Sequence, residues 1–239
     1  MNEIVRHDVA ANLEISISGH KNVIHKETEA KVDAIWDAAL RVSDLTLFNG
    51  TLYSVTDISP QRITVQPTEY KRFFAQTHDR VLVDALGIRP LACTGVVRCA
   101  DGLIFAKRSE AVTLNQGFWE LAPSGVFDDT AKNPRGTLDT RTVFASELFE
   151  ELGIPASTIS THEVLVALED KEQNSIDLIL SASVSIDASG VIKCFATRET
   201  DEYSEVSVIQ DKDIRDFIAK NAADIVPISL DILDFLKLS

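Results

Sequence analysis

The alternation of apolar and polar residues predicts a mixture of strands and helices along the whole chain. In residues 1–88 the patterns are those of a strand, a helix, a hairpin and two short helices, over 13–17, 27–45, 51–58 with 62–65, 70–74 and 81–87. The predicted helix over 27–45 has an apolar side made by Val32, Ile35, Trp36, Ala39 and Leu40. The turn dipeptide Asn49-Gly50 precedes the hairpin.

From Pro90 onward the pattern is dominated by strands. The clearest hairpin joins strands over 91–98 and 103–108 through a tight Asp101-Gly102 turn. Later patterns predict strands over 117–125, 163–168, 176–184 and 206–209, an acidic loop over 199–205, and helices over 211–220 and 228–238. Strands interspersed with amphipathic helices indicate an α/β protein with a mixed sheet and helices on its faces.

The segment 146–154 is chemically the most distinctive part of the chain. Glu147, Glu150 and Glu151 are spaced so that they share one face of a predicted helix, which Gly153 ends. Carboxylates at this spacing repel one another, and hard cations such as Mg²⁺ prefer carboxylate oxygen. The pattern therefore predicts either a metal-binding helix face or, in an acidic protein, a solvated surface helix.

Preceded by the strand and turn that end at Gly125, this segment resembles the signature of the Nudix hydrolase family. That signature is Gly, five residues, Glu, seven residues, then Arg-Glu-aliphatic-any-Glu-Glu-any-Gly-aliphatic. Its second half matches from Glu147 to Ile154, and Gly125 fits the opening glycine. Two positions depart from the pattern: Ala131 stands where the family has its first glutamate, and Ser146 stands where it has its arginine.

The resemblance implies a Nudix-type α/β/α sandwich with a mixed sheet in residues 89–239, preceded by an α+β extension in residues 1–88. The long loop over 128–140 carries a seven-residue insertion relative to the family. The extension is expected to be a lid, a dimerisation element that would make a homodimer, or a packing extension. The implied ligands of Mg²⁺, or of Mn²⁺ as the alternative ion, are Glu147, Glu150, Glu151 and the carbonyl of Gly125.

The resemblance also implies hydrolysis of a diphosphate linked to another moiety. Glu202, with Glu205 as the alternative, is expected to act as the general base or as an extra ligand. The hairpin after Asn49-Gly50, the segment 70–74 and the long loop further resemble the group that cleaves UDP-glucose and related nucleotide sugars. Its products would be a nucleoside monophosphate and a sugar phosphate.

Basic residues offer a separate prediction about the substrate. Lys107 and Arg108, at the end of a predicted strand, are candidates to bind a substrate phosphate, although exposed basic residues at a strand edge can equally serve solubility. A formal net charge of −14 disfavours an extended nucleic-acid interface but not a small nucleotide that binds together with a cation. The expected partner is therefore a small-molecule nucleotide.

Composition and terminal sequence bear on the location of the protein. The three cysteines are odd in number and lack metal-ligand spacing, which favours a reducing compartment. The first residues have no secretory apolar core, and no apolar run is long enough to span a membrane. A cytoplasmic enzyme is expected. Two alternatives stay open, a nucleotide-sugar binder that has lost turnover, suggested by Ala131 and Ser146, and a structural protein with an acidic surface helix.

Overall fold

The computed structural model describes residues 3–19, 24–42, 47–112 and 114–238, and it contains two compact units. The first unit comprises residues 1–92, 126–140 and 167–177, and the second comprises residues 93–125, 141–166 and 178–239. The first unit therefore contains the N-terminal part of the chain and two later segments, 126–140 and 167–177. The division into an extension of 1–88 and a core of 89–239, and the use of the extension as a lid or in a homodimer, stay predictions.

The expected α/β class with mixed sheets is confirmed. The strands are β1 (Ile4–Asp8), β2 (Glu14–Ile17), β3 (Thr51–Ser59), β4 (Arg62–Glu69), β5 (Leu91–Cys99), β6 (Gly102–Arg108), β7 (Trp119–Leu121), β8 (Ser124–Val126), β9 (Thr137–Leu138), β10 (Ile159–Asp170), β11 (Ser175–Val184) and β12 (Tyr203–Ile209). The α-helices among the described residues are α1 (Lys26–Val42), α2 (Tyr70–His78), α3 (Val81–Leu86), α4 (Thr140–Leu152), α5 (Ala188–Phe195), α6 (Ile214–Asn221) and α7 (Pro227–Phe235).

The first unit is built on a four-stranded sheet with the order β3-β4-β2-β9. Strand β2 runs parallel to β4 and antiparallel to β9, so the sheet is mixed. The predicted hairpin is confirmed as β3 and β4, which pair antiparallel over their whole length. The long loop predicted over 128–140 is more ordered than expected, because its strand β9 adds to the sheet edge and lets Leu138 become buried.

The helices of the first unit cover an apolar cluster. Val32 of α1, Ala75 of α2 and Leu82 of α3 belong to this cluster and are almost fully buried. Of the apolar side predicted for α1, Trp36 is also buried, but Leu40 is 49% exposed, so that part of the prediction is wrong. Ala39 is half-buried, so the apolar side ends one residue earlier than the sequence suggested. The predicted last residues of this helix, 43–45, lie outside the described residues.

The second unit contains the strand order β10-β11-β5-β6-β12, with β7 paired to β6. Phe217 of α6 packs against Phe105 and Trp119, with ring centroids 4.8 and 5.5 Å apart, and so fixes β6 and β7 from one side. The predicted acidic loop is shorter than expected, because β12 already begins at Tyr203 and pairs antiparallel with β6. Among the described residues of the chain, no helix has the length and apolar character needed to cross a membrane.

Candidate active site

The helix that carries the three predicted metal ligands is α4, and it begins at Thr140, six residues before the segment singled out in the sequence. Its buried side includes Phe144 and Leu148, which anchor it in the core of the second unit. It ends as predicted at Gly153, whose φ of 67° is a conformation that side-chain-bearing residues rarely adopt. This anchoring fixes the direction in which the glutamates of the helix project.

Glu147 lies against the backbone of the turn at Gly125. A Cβ atom placed on Gly125 would lie 2.0 Å from Glu147 Oε1, so only glycine leaves space for the carboxylate there. The neighbouring backbone N–H of Ser124 donates to Glu151 Oε2 over 3.0 Å. The structure therefore brings the turn at Gly125 together with two of the predicted ligands, Glu147 and Glu151.

Glu151 is the most buried of these carboxylates, with 2% of its surface exposed. Burial raises its pKa well above the usual range, and the nearby carboxylates of Glu202 and Glu147 raise it further, against the opposing hydrogen bond from Ser124. A buried carboxylate surrounded by other carboxylates is costly to keep charged. Such a group is stabilised by a cation more than by water alone.

Glu150 is held differently from the other two. Its Oε1 atom accepts a hydrogen bond of 2.7 Å from the hydroxyl of Ser146, one turn earlier on α4. Its backbone carbonyl accepts from the N–H groups of Glu199 and Thr200, over 2.9 and 3.2 Å. The serine at the arginine position of the signature thus supplies a hydroxyl that holds Glu150, and the helix end is tied to the segment that leads to Glu202.

The two candidates for the general base occupy different environments. Glu202 comes directly before β12, and its Oε1 lies 3.2 Å from Nη1 of Arg108, with 32% of its side chain exposed. Glu205 lies on β12 itself and is exposed. Of these two residues, Glu202 helps to raise the pKa of Glu151 and Glu205 does not. The position of Glu202 beside the carboxylates of α4 therefore favours it over Glu205.

The two basic candidates also differ. Lys107 places its ammonium 5.7 Å from the centroid of the Trp119 ring. Arg108 is largely buried, with 13% of its side chain exposed, and its Nη1 atom lies 2.6 Å from Glu120 Oε1. The Nε atom of Arg108 donates to the carbonyl of Leu114 over 3.0 Å. Two of the guanidinium nitrogens of Arg108, Nε and Nη1, are thus hydrogen-bonded within the protein.

Sequence reasoning missed two residues of this region, Glu120 and Tyr203. Tyr203 is completely buried, and its hydroxyl lies 2.7 Å from Glu120 Oε1. Burial raises the pKa of Glu120, although Arg108 and the Tyr203 hydroxyl oppose the shift. The signal was present in the sequence, because Glu120 stands between Trp119 and Leu121 in an otherwise apolar strand. A charged residue at such a position is buried only when it is paired.

The region fits a divalent cation in its chemistry. It offers hard carboxylate oxygens, a glycine turn where a Cβ would fill the space beside Glu147, and a like-charge cluster that needs neutralising. In the described ranges of the chain, however, no three His, Cys, Asp or Glu side chains already converge on a point that would hold a metal ion. Binding by three of these carboxylates together would therefore require rotation of at least one glutamate side chain.

Comparisons with known proteins add a fold-level context. No family model matches the chain, and no characterised protein matches it in sequence. Among solved structures, a Nudix hydrolase from Nitrosomonas europaea is 13% identical with a TM-score of 0.41, over 61% of this chain and 86% of that one. Tm1382, a candidate Nudix hydrolase, is 11% identical with a TM-score of 0.46, over 89% of this chain and 95% of that one.

A third similar structure is a bifunctional NMN adenylyltransferase/ADP ribose pyrophosphatase from Francisella tularensis, complexed with AMP and a manganese ion. It is 15% identical to this chain with a TM-score of 0.44, over 67% of this chain and 45% of that one. At this level of similarity none of the three structures determines an activity. The function has to be argued from the residues of this chain.

Proposed function

We propose that the chain is a divalent-cation-dependent pyrophosphohydrolase of the Nudix type. The observation that carries the proposal is the packing of the Glu147 carboxylate against Gly125, next to the buried Glu151. A surface helix with a solvated acidic face would have no reason to bury one of its glutamates among other carboxylates. This burial separates the proposal from the structural-protein alternative.

Glu147, Glu150, Glu151 and the carbonyl of Gly125 would hold Mg²⁺, or Mn²⁺ as the alternative. Such an ion screens the negative charge of a diphosphate and lowers the pKa of bound water. Glu202 has a partly exposed carboxylate, which can accept the proton of the attacking water. The bond that breaks joins phosphorus to the bridging oxygen, and the hydroxyl of the water ends on one phosphate.

The substrate we propose is a nucleoside diphosphate sugar such as UDP-glucose, cleaved to a nucleoside monophosphate and a sugar phosphate. Support for this class comes from the sequence resemblance of the hairpin, the segment 70–74 and the long loop. The net charge of −14 supports a small substrate that reaches the site with a cation. Lys107 remains the predicted contact to a substrate phosphate. A cytoplasmic location also remains a prediction.

The experiment is an incubation of the purified protein with UDP-glucose and Mg²⁺, followed by ³¹P NMR. The expected result is the loss of the diphosphate signals and the appearance of UMP and glucose 1-phosphate, with no reaction in EDTA. A panel of other nucleotide sugars and nucleoside diphosphate compounds, run in parallel with Mg²⁺ and Mn²⁺, identifies the preferred substrate. Intact substrates across the whole panel would contradict the proposal.

A second candidate function is a nucleotide-sugar binder without turnover. It is favoured by Ala131 and Ser146 at two signature positions and by the lack of converged ligands among the described residues. A binder predicts that the melting temperature rises with a nucleotide sugar while ³¹P NMR detects no product. An enzyme predicts product formation with the same ligand. The two functions are therefore separated by one pair of measurements on the same sample.

A further inference from the structure

Behind the carboxylates of α4 lies a chain of three hydrogen-bonded side chains, which we call the Glu120 network. It consists of Tyr203, Glu120 and Arg108. The hydroxyl of Tyr203 and the guanidinium of Arg108 both lie against the same oxygen of Glu120, at 2.7 and 2.6 Å. The other contact of Arg108 Nη1 is Glu202, at 3.2 Å. The network therefore connects a buried tyrosine to the candidate base through two charged groups.

Burial changes along this chain in one direction. Tyr203 is fully buried and the side chain of Glu120 is 7% exposed, whereas Arg108 is 13% and Glu202 is 32% exposed. The two residues of the buried end lie on β12 and β7, which both pair with β6, and Tyr203 lies opposite Arg108 at a register shift of β12. The exposed end is the carboxylate that would meet water and substrate. Buried residues that are hydrogen-bonded to one another and support a more exposed carboxylate are the arrangement of a positioning network.

Two hydrogen bonds from Ser109 hold the backbone at Glu202. The N–H of Ser109 donates to the carbonyl of Glu202 over 2.8 Å, and the Ser109 hydroxyl donates to the carbonyl of Asp201 over 2.6 Å. The backbone of Glu202 is thus fixed, and the remaining freedom is that of its side chain. Arg108 is the charged group that the structure pairs with this side chain.

We propose that Glu120 and Tyr203 are positioning residues that hold Arg108, and through it Glu202, beside the carboxylates of α4. Arg108 would then serve the site from within the protein and not as a direct contact to a substrate phosphate. This inference rests on the proposed function, in which Glu202 acts on the attacking water or as an extra ligand. Partners behind a metal site commonly change metal affinity or activity by roughly 10- to 100-fold.

The test is a double-mutant cycle with Tyr203→Phe, Glu202→Gln and the combined variant. Mn²⁺ dissociation constants are measured by EPR, and kcat and KM are measured on the substrate that the ³¹P NMR panel identifies. Each single substitution is expected to weaken Mn²⁺ binding or lower kcat by roughly tenfold. The combined variant should be no worse than Glu202→Gln alone, because Tyr203 acts only through Glu202. KM should stay unchanged in Tyr203→Phe.

Tyr53→Phe is the matched control. Tyr53 is also a buried tyrosine whose hydroxyl donates to a carboxylate, Asp129, over 2.8 Å, but it belongs to the first unit. It should leave Mn²⁺ binding and kcat unchanged. Arg108→Gln should lower kcat without a rise in KM. Arg108→Lys keeps a positive charge at this position and should recover part of the lost activity.

The possible failures are distinguishable. If the effects of Tyr203→Phe and Glu202→Gln multiply in the combined variant while Mn²⁺ still binds the wild type, the positioning inference is wrong and the proposed function stands. A rise in KM for Arg108→Gln with unchanged kcat would also overturn the inference, in favour of a direct phosphate contact. If Mn²⁺ does not bind the wild-type protein, the proposed function is overturned, and the inference with it.

Discussion

Glu169 in the first unit and Glu151 in the second are both buried, but the charged groups around Glu169 are basic and those around Glu151 are acidic. Glu169 in the first unit is 5% exposed and lies within 3.1 Å of Arg89, 2.6 Å of Lys171 and 2.9 Å of His7. Glu151 in the second unit is 2% exposed, and the charged groups that shift its pKa are other carboxylates. The burial is nearly equal, so the difference lies in the neighbours.

The pKa values of the two groups move in opposite directions. Burial acts to raise the pKa of Glu169, but hydrogen bonds from Lys171, His7 and Arg89 outweigh it and lower the value to about 2. At Glu151 burial and like charges act together and raise the pKa. A carboxylate with three basic partners is complete within the protein. A carboxylate among carboxylates is satisfied only by something that the protein binds.

The largest expected effect concerns activity in the second unit. Glu147→Gln should reduce kcat by about 10³-fold, because a carboxylate that holds a cation against the diphosphate contributes several kcal/mol to the transition state. Steady-state kinetics with the substrate identified by ³¹P NMR give the measurement. Glu163→Gln, which changes an exposed glutamate on β10 of the same unit, is the control and should behave like the wild type. Full activity in Glu147→Gln would contradict the proposal that Glu147 holds the cation.

The next effect concerns stability in the first unit. Glu169→Gln should lower the free energy of unfolding at pH 7 by about 2 kcal/mol, because it removes hydrogen bonds between charged groups and leaves their basic partners behind. Since the pKa of Glu169 is lowered on folding, its stabilisation is present above the unfolded value near 4.5 and is lost as the pH falls towards about 2. The difference between variant and wild type should therefore shrink between pH 7 and pH 3.

Urea unfolding followed by circular dichroism measures this difference. Glu14→Gln is the control, because Glu14 pairs with Arg62 at the surface of the same unit, where both side chains are more than half exposed. It should change stability little at either pH. Equal effects of Glu169→Gln at pH 7 and pH 3 would show that the three basic partners do not hold Glu169 as argued.

The neighbours of Glu151 and those of Glu169 were not equally predictable from the sequence. One neighbour of Glu151 could be predicted, because Glu147 is four residues away and helical spacing alone places it beside Glu151. The partners of Glu169 lie at residues 7, 89 and 171, and only the folded sheet brings most of them together. Periodicity identifies a strand and its faces, but it does not give the register or the neighbours of that strand.

The same reason explains why the sequence did not reveal the Glu120 network in the second unit. Residues 203 and 108 meet because β12 pairs with β6, and residue 120 joins them through β7, so the Glu120 network follows from strand register. Gly125 was expected from the resemblance to the family signature, and in the structure its lack of a side chain leaves space for the Glu147 carboxylate. Neighbours within one helix could therefore be predicted, whereas contacts between residues on different strands could not.

The smallest expected effect tests the comparison most directly. In EDTA, Glu151→Gln should raise the free energy of unfolding at pH 7 by about 1 kcal/mol, since it removes a charge that burial and the nearby carboxylates disfavour while the amide oxygen can still accept from Ser124. With Mn²⁺ at about a hundredfold its dissociation constant, binding should add about 2.7 kcal/mol to the wild type and much less to the variant, so the order of stabilities reverses. Urea unfolding in EDTA and in Mn²⁺ measures both. A loss of stability in EDTA would make Glu151 a structural carboxylate of the same kind as Glu169, because a group retained to bind a cation should cost stability when the cation is removed.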